Sequence, residues 1–280
     1  MSHIKDSGGT WRELTGLHVK DGGGTWREVV AGWVKHAGVW QRFYATHFLF
    51  SITISADQAD FVLSAELTAL GWNGTDAVSG TVTVNSGIYC YGTTTAGFGM
   101  HIDSMPATSV VTVDNNGHIH GAGGDGGDGN LPNTTSNGDD GEDGGTAFKA
   151  STAVTVDNTG GVIAGGGGGG GGATWATFGK SSQGGGGGGG GAGKSPGTGG
   201  AAGQGSPMGT AGASGSTSAG GAGGAWDGGD GGALGTAGDA GGDNDGGSAT
   251  PGAGGAAGYS IEGNTNISWT ATGTRTGPIS

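Results

Sequence analysis

Cysteine is almost missing from this 280-residue chain. The single Cys90 excludes an intrachain disulfide framework and a cysteine-based zinc site. Proline is scarce as well, with six residues, and glycine comes in octets rather than at every third position, which excludes collagen. Aromatic residues make up 7%, too few for a large conventional core. No apolar run is long enough for a membrane helix, and the opening MSHIKDSGGT lacks the basic and apolar parts of a signal peptide. The expectation is a soluble protein, without membrane insertion, made in a cytoplasm or released from one by lysis. Basic residues thin out after the first fifty positions: residues 1–50 hold six Lys/Arg against four Asp/Glu, and the remainder four against 19. A net charge of −13 distributed in this way speaks against a nucleic-acid-binding surface.

What the chain has in excess is glycine, 75 residues, of which 46 lie between Gly160 and Gly258. Two runs of eight, Gly165–Gly172 and Gly184–Gly191, are unbroken. Such a segment has no apolar face for an ordinary helix or sheet. It is either a flexible tether or is ordered through its backbone, as extended helices of three residues per turn packed side by side. Fixing each residue costs about 1–2 kcal/mol, and each backbone hydrogen bond returns only about 0.5–1.5 kcal/mol. An ordered lattice therefore needs an anchor.

The flanking sequence supplies one. SVVTVDNNGHIHGAGGDGG (109–127) and AVTVDNTGGVIAGGGGGG (153–170) are two copies of one unit: a Val-Thr-Val strand, an Asp-Asn turn, a second short strand, then glycine. GTVTVNSGIYCYG (80–92) is a weaker copy, and YSIEGNTNISWTATGTRTGPI (259–279) closes with similar strands. Stacked rungs of this kind would set where each glycine helix begins and ends. Upstream, HFLFSITIS reads as a strand, and the spacing of Phe61, Val62, Ala65 and Ala69 predicts a helix over about Asp57–Leu70, capped by Ser55 or Asp57 and ended by Gly71. Residues 8–44 repeat Gly-Gly-Thr-Trp-Arg-Glu and read as a series of β-hairpins, whose Trp11, Trp26, Trp33, Trp40 and Tyr44 suggest docking onto a partner. The expected fold is mostly β plus polyglycine-II: a Trp-rich hairpin region at 1–45, a small α/β region with one helix at 46–108, and a glycine-rich domain at 109–280.

Chemical motifs are weak. Gly188–Ser195 satisfies G-x-x-x-x-G-K-[ST], but that loop must join a strand to a helix, and Pro196-Gly197 follows. Carboxylates cluster at Asp125/Asp128, Asp139–Asp143, Asp227/Asp230 and Asp239–Asp245; solvated turns are the simplest reading, with Glu142 and Asp143 as the metal candidate. His118 and His120 share a strand face, read as two exposed rung histidines unless a trimer places an ion there. No catalytic set stands out, and no cofactor or enzymatic activity is expected. Cys90, between Tyr89 and Tyr91, reads as inert.

The segments interrupting glycine carry the functional expectation. Loops at one end of parallel glycine helices would share a face, so Leu131, Asn133, Trp175, Phe178, Lys180, Lys194, Met208, Trp226, Asp227 and Asn244 are the candidate contact residues. The ordered pieces ALGWNGT, VTVNSGIY, VTVDNNGHIHGAGGDGGDG, VTVDNTGGVIAGGGGGGGG and GYSIEGNTNISWTATGTR, framing residues 66–280, resemble the glycine-rich receptor-recognition adhesins at the tips of T-even-type phage tail fibres. The resemblance implies a polyglycine sandwich whose variable loops bind a host outer-membrane protein or surface glycan, in a virion tail fibre or tail tip. The Trp-rich start resembles hairpin modules of other phage tail proteins, which implies mounting on another tail protein and leaves monomer or homotrimer open. Two other readings are a structural tail spacer and an ice-binding bundle; irregular aromatic insertions do not suit the latter.

Overall fold

The computed structural model describes residues 3–5, 11–13, 18–20, 25–29, 31–36, 39–45, 47–130, 137–174, 176–178, 181–204, 209–243 and 249–280. Within the first 45 residues the described stretches form antiparallel pairs, as the Gly-punctuated repeat predicts: β1 (His3–Lys5) with β2 (Trp11–Glu13), β3 (His18–Lys20) with β4 (Trp26–Glu28), and β5 (Ala31–His36) with β6 (Val39–Ala45). Trp26 is exposed and Lys20 lies over its ring at 5.9 Å.

From residue 47 the chain winds as a three-sided β-solenoid. Its first coil is β7 (His47–Ile54), β8 (Gln58–Ala59) and β9 (Phe61–Val62), followed by α1 (Leu63–Ala69). The second is β10 (Ala77–Val84), β11 (Tyr89–Tyr91) and β12 (Phe98–Ile102). The third is β13 (Val110–Asn115), β14 (His118–His120) and β15 (Thr146–Ala150). In the fourth, β16 (Val154–Asp157) and β17 (Val162–Ala164) are separated from the third side by the glycine stretch. That stretch carries β18 (Ala176–Phe178) and β19 (Ser181–Gln183), which pair antiparallel, and the coil closes with β20 (Ile261–Glu262). β21 (Ile267–Ala271) and β22 (Thr274–Thr276) begin a fifth. Each coil adds one strand to each of three parallel sheets, ordered β7-β10-β13-β16-β21, β8-β11-β14-β17-β22 and β9-β12-β15-β20. The sheets run across the expected 108/109 boundary, so the 46–108 region and the later rungs share one core.

Alternation in the short strands turns one side chain in two inward. Ladder registers stack these: Ile52, Val82, Val113, Val156 and Trp269 on one side, Cys90, Ile119 and Ile163 on the second, Phe61, Met100, Phe148 and Ile261 on the third. Burial raises the Cys90 thiol to about 12, which leaves it protonated and unreactive at neutral pH. The Asp-Asn turns of the repeat form a buried corner. Asn115 Nδ2 donates to Asn158 Oδ1 at 2.7 Å, and Asn158 Nδ2 donates to the Thr272 and Thr274 carbonyls. Asn158→Ala should cost about 1–3 kcal/mol, since it strands one buried amide and two carbonyls; a thermal melt checks this.

The predicted helix is shorter than expected. Residues 58–59 and 61–62 are extended, on either side of the Asp60 corner, because they supply the strand partners of β11 and β12, and that pairing overrides the helical spacing. Asp57 does not cap the helix; its carboxylate accepts the Tyr89 N–H at 2.9 Å. Leu63 and Leu67, rather than Ala65 and Ala69, enter the core. Gly71, at φ +96°, follows the helix end as predicted.

All long insertions leave the solenoid at one corner, between its second and third sides. That corner is a single residue in the first coil, Asp60, and residues 92–97 in the second; it becomes 121–145 in the third and 165–260 in the fourth. The glycine insertions fold into ten antiparallel or parallel segments: 121–130, 137–145, 165–174, 184–193, 197–203, 209–216, 219–225, 228–233, 236–243 and 250–258. Bonds between any two recur every third residue. Gly121, Gly124, Gly127 and Asn130 donate in turn to Ala164, Gly167, Gly170 and Ala173.

The two octets occupy the interior. Segment 165–174 donates to segments 137–145, 184–193 and 236–243 and accepts from 121–130, 228–233 and 250–258, six neighbours in all. Segment 184–193 likewise has six: it donates to 121–130, 209–216 and 228–233, and accepts from 165–174, 197–203 and 219–225. Both segments are buried throughout. A Cβ on Gly168, Gly169 or Gly170 would lie 1.9–2.0 Å from a carbonyl oxygen of Gly255, Asp125 or Gly229, one neighbour after another. Eight consecutive glycines are therefore a packing requirement: a segment with neighbours on every side has no direction in which a side chain can point.

Candidate functional site

Peripheral segments show the complementary pattern. Where a segment has an open side, an Asp, Asn, Thr or Ala stands at intervals of three. These Asp and Asn side chains replace missing carbonyls. Asp125 and Asp128 accept the N–H groups of Thr198 and Ala201 at 2.7 and 2.6 Å; Asn137, Asp140 and Asp143 accept those of Thr250, Ala253 and Ala256. Asp125, Asp128, Asp140, Asp143 and, through the Gly223 N–H, Asp230 are thus edge acceptors of the lattice rather than merely solvated turn residues. The metal candidate is engaged in the same way: Asp143 holds the Ala256 N–H, and Glu142 accepts the Thr95 hydroxyl and the Asp125 N–H. Among the described residues no group of three or more His, Cys, Asp or Glu is placed to hold a metal ion. The G-x-x-x-x-G-K-S match is also lattice: Gly188 to Gly193 are interior and no helix follows.

Because segments alternate in direction, their connections fall at two ends. Those near the solenoid are 193–196, 216–219 and 233–236. At the far end lie the turn 225–227 and the described segment ends 130 and 137, 174 and 184, 203 and 209, and 243 and 250. Described residues flanking the outer connections are bonded to one another: Asn130 to Ala173, Gly185 to Asn130, Gly186 to Trp226, Thr174 to Gly242, Gly242 to Asp227. A cleft of about 320 Å³ opens there, lined by Asp128, Asn130, Asn137, Asp139, Ala201 and Gln204.

Of the sequence candidates, Trp226 and Asp227 lie in this outer end. Both have positive φ, +69° and +59°, in the three-residue turn 225–227 closed by the Gly228 N–H on the Gly224 carbonyl. Such a conformation suits Asn-Gly and costs a bulky residue about 1–2 kcal/mol. Trp226 is half-buried and Asp227 exposed. Leu131, Asn133, Trp175, Lys180, Met208 and Asn244 lie outside the described residues, as do the side chains of Phe178, Trp11, Trp33, Trp40 and Tyr44.

Lys194 does not join the outer group. It sits in an inner connection, ion-paired with Asp57 at 2.7 Å and lying 4.3 Å from the Tyr89 ring centroid. The KSP insertion looks like any other interruption of glycine in the sequence; only segment parity, counted along the chain, separates inner from outer turns. The two histidines also depart from expectation. His118 stacks on Tyr89 at 4.5 Å, but His120 is buried, 3% exposed, with neither ring nitrogen hydrogen-bonded.

Among curated proteins none matches the chain. Among solved structures, the "crystal structure of the gp37-gp38 adhesin tip complex of the bacteriophage S16 long tail fiber" has a chain 22% identical, with a TM-score of 0.51 over 85% of this chain and 84% of that one. That likeness concerns the fold. The family described as "Phage tail fibre adhesin Gp38" matches residues 49–280. The match spans every glycine segment and all of the solenoid but its first two residues, so the chain belongs to the phage tail fibre adhesin Gp38 family, receptor-binding proteins of the virion's tail fibre.

Proposed function

We propose that the ten segments are polyglycine-II helices packed as a sandwich, and that the five outer connections together form the surface that meets the host receptor. The three-residue recurrence of the lattice bonds supports the first part. One observation carries the second: the described segment ends that flank the two longest non-glycine interruptions, 130 and 137, and 174 and 184, lie at the end of the lattice away from the solenoid. The contact residues would be Leu131, Asn133, Trp175, Phe178, Lys180, Met208, Trp226, Asp227 and Asn244. An eight-residue helix of this kind extends about 25 Å, enough to hold these turns clear of the mount. Binding is non-enzymatic and works by rigidity: a lattice without a side-chain core lets loops vary without disturbing what holds them.

The receptor class is a bacterial outer-membrane protein or surface glycan. Residues 1–45 would attach the chain to another tail protein through Trp11, Trp26, Trp33, Trp40 and Tyr44, and the solved relative is itself described in complex with gp37. Purified protein should slow phage adsorption to host cells in competition; protein that neither binds cells nor competes would leave only a structural spacer. Trp175→Ala with Phe178→Ala should weaken competition by about tenfold or more, a loss of at least about 1.4 kcal/mol, with an unchanged melting profile.

A further inference from the structure

The inner connection 193–196 is unlike the other two. The turn at 216–219 closes on itself through Ser216 and Ala219, and 233–236 through Thr236 and Ala233. Lys194 instead reaches across the outer face of the second sheet to Asp57 in the first coil, lying over Tyr89 of the second. Tyr89 stacks on His118 and meets His120 edge-on at 5.2 Å. The turn, three successive coils and a buried imidazole without partners thus form one stack.

We propose that the 193–196 turn is a latch that positions the glycine lattice against the solenoid, and that proton uptake at His120 opens it. Among the described residues that face His120, none supplies a negative charge, and His118 and Lys194 oppose a second cation. β11 presents Tyr89 and Tyr91, β14 itself His118, and the turn Lys194, while β17 presents only Val162 and Ala164. The nearby anion is Asp57, whose carboxylate already holds Lys194 and the Tyr89 N–H. A protonated His120 is therefore driven toward water, and in the proposed latch displacing Lys194 and its turn from the Tyr89 stack opens that route.

The sign follows from where each state binds the proton. Burial first, then His118 and Lys194, lower His120 from 6.5 to about 4 in the closed form. Once open, the ring returns toward its ordinary value. Closure is complete above 6.5 and is lost as pH falls from there toward about 4, the opening constant rising about tenfold per unit between the two. The Lys194 ion pair holds Asp57 below its usual 3.8, so that bond persists through most of this window and does not explain the opening.

Hydrogen exchange on the full chain tests this at pH 7.5 and 4.5, after correction for intrinsic rates. The amides of Gly123, Gly193 and Gly197, bonded in or beside the turn, should exchange about a hundredfold faster at pH 4.5, roughly two pH units below the onset, while Gly169–Gly171 stay protected. His120→Phe and, independently, His120→Gln should remove the acid response; His118→Phe should retain it. Lys194→Met should exchange fast in 193–197 already at pH 7.5, and Lys194→Arg should restore protection. Equal protection of the native turn at both pH values, or an acid response that survives in either His120 variant, overturns the proposal. Should one His120 variant fail to fold, the other decides.

Discussion

Gly188→Ala is expected to melt the glycine lattice at temperatures the native chain withstands. The new Cβ would lie 1.9 Å from the Gly170 carbonyl oxygen, and no flexible side chain is there to move aside. Overpacking a side-chain core costs typically about 1–3 kcal/mol because neighbours repack. Here every neighbour is backbone whose own N–H and C=O are engaged, so about 3 kcal/mol is a floor rather than a ceiling, or roughly 6–12 °C at about 2–4 °C per kcal/mol for a domain of this size. Gly170→Ala, whose Cβ would meet Gly229 at 2.0 Å, should behave alike. Ala222→Ser, at an exposed peripheral position, should stay within about 0.5 kcal/mol. Differential scanning calorimetry of the variants checks the contrast; Gly188→Ala melting with the native chain would mean that the octet is not packed on all sides.

The second large effect separates binding from stability. Replacing Trp226-Asp227 by Asn-Gly puts residues that tolerate the left-handed conformation at both positive-φ positions of the 225–227 turn. On backbone grounds alone the change should gain about 1 kcal/mol, offset in part by the half-buried indole that is removed. Melting should therefore be unchanged or slightly raised. Adsorption competition should fall by about thirtyfold or more, as expected when an aromatic anchor worth at least about 2 kcal/mol is removed. A clear drop in melting temperature with intact competition would assign Trp226 to packing. Backbone strain retained at the outer end, where a relaxed turn was available, is what favours the binding role.

Much of this architecture can be read from the chain before any coordinates. The two copies of Val-Thr-Val-Asp-Asn mark adjacent rungs, and in the solenoid they pair as β13 and β16 with Val113 against Val156. The glycine octets announce a segment without room for side chains. Other features resist local reading. Asp57–Val62 carries helical spacing, yet the strands that claim it, β11 and β12, come some thirty residues later. Asp125, Asp128, Asp140 and Asp143 look like solvated carboxylates because their partners, in 198–201 and 253–256, are distant in sequence. Lys194 resembles an outer-loop residue until the segments are counted and its turn falls on the solenoid side. His120 alternates correctly for an exposed face, but Tyr89 and His118 pack against it and it is buried. In each case a local pattern was overridden by a contact that the fold creates at long range.

Hydrogen exchange across residues 160–258 at neutral pH tests the central claim most directly. If backbone groups alone hold this stretch, the amides of 166–173 and 185–192, each bonded within a six-neighbour segment, should be its slowest to exchange, slower than those of the peripheral 219–225 and 236–243. Uniformly rapid uptake, with the octets no better protected than the edges, would contradict the lattice and every role assigned to the turns it carries.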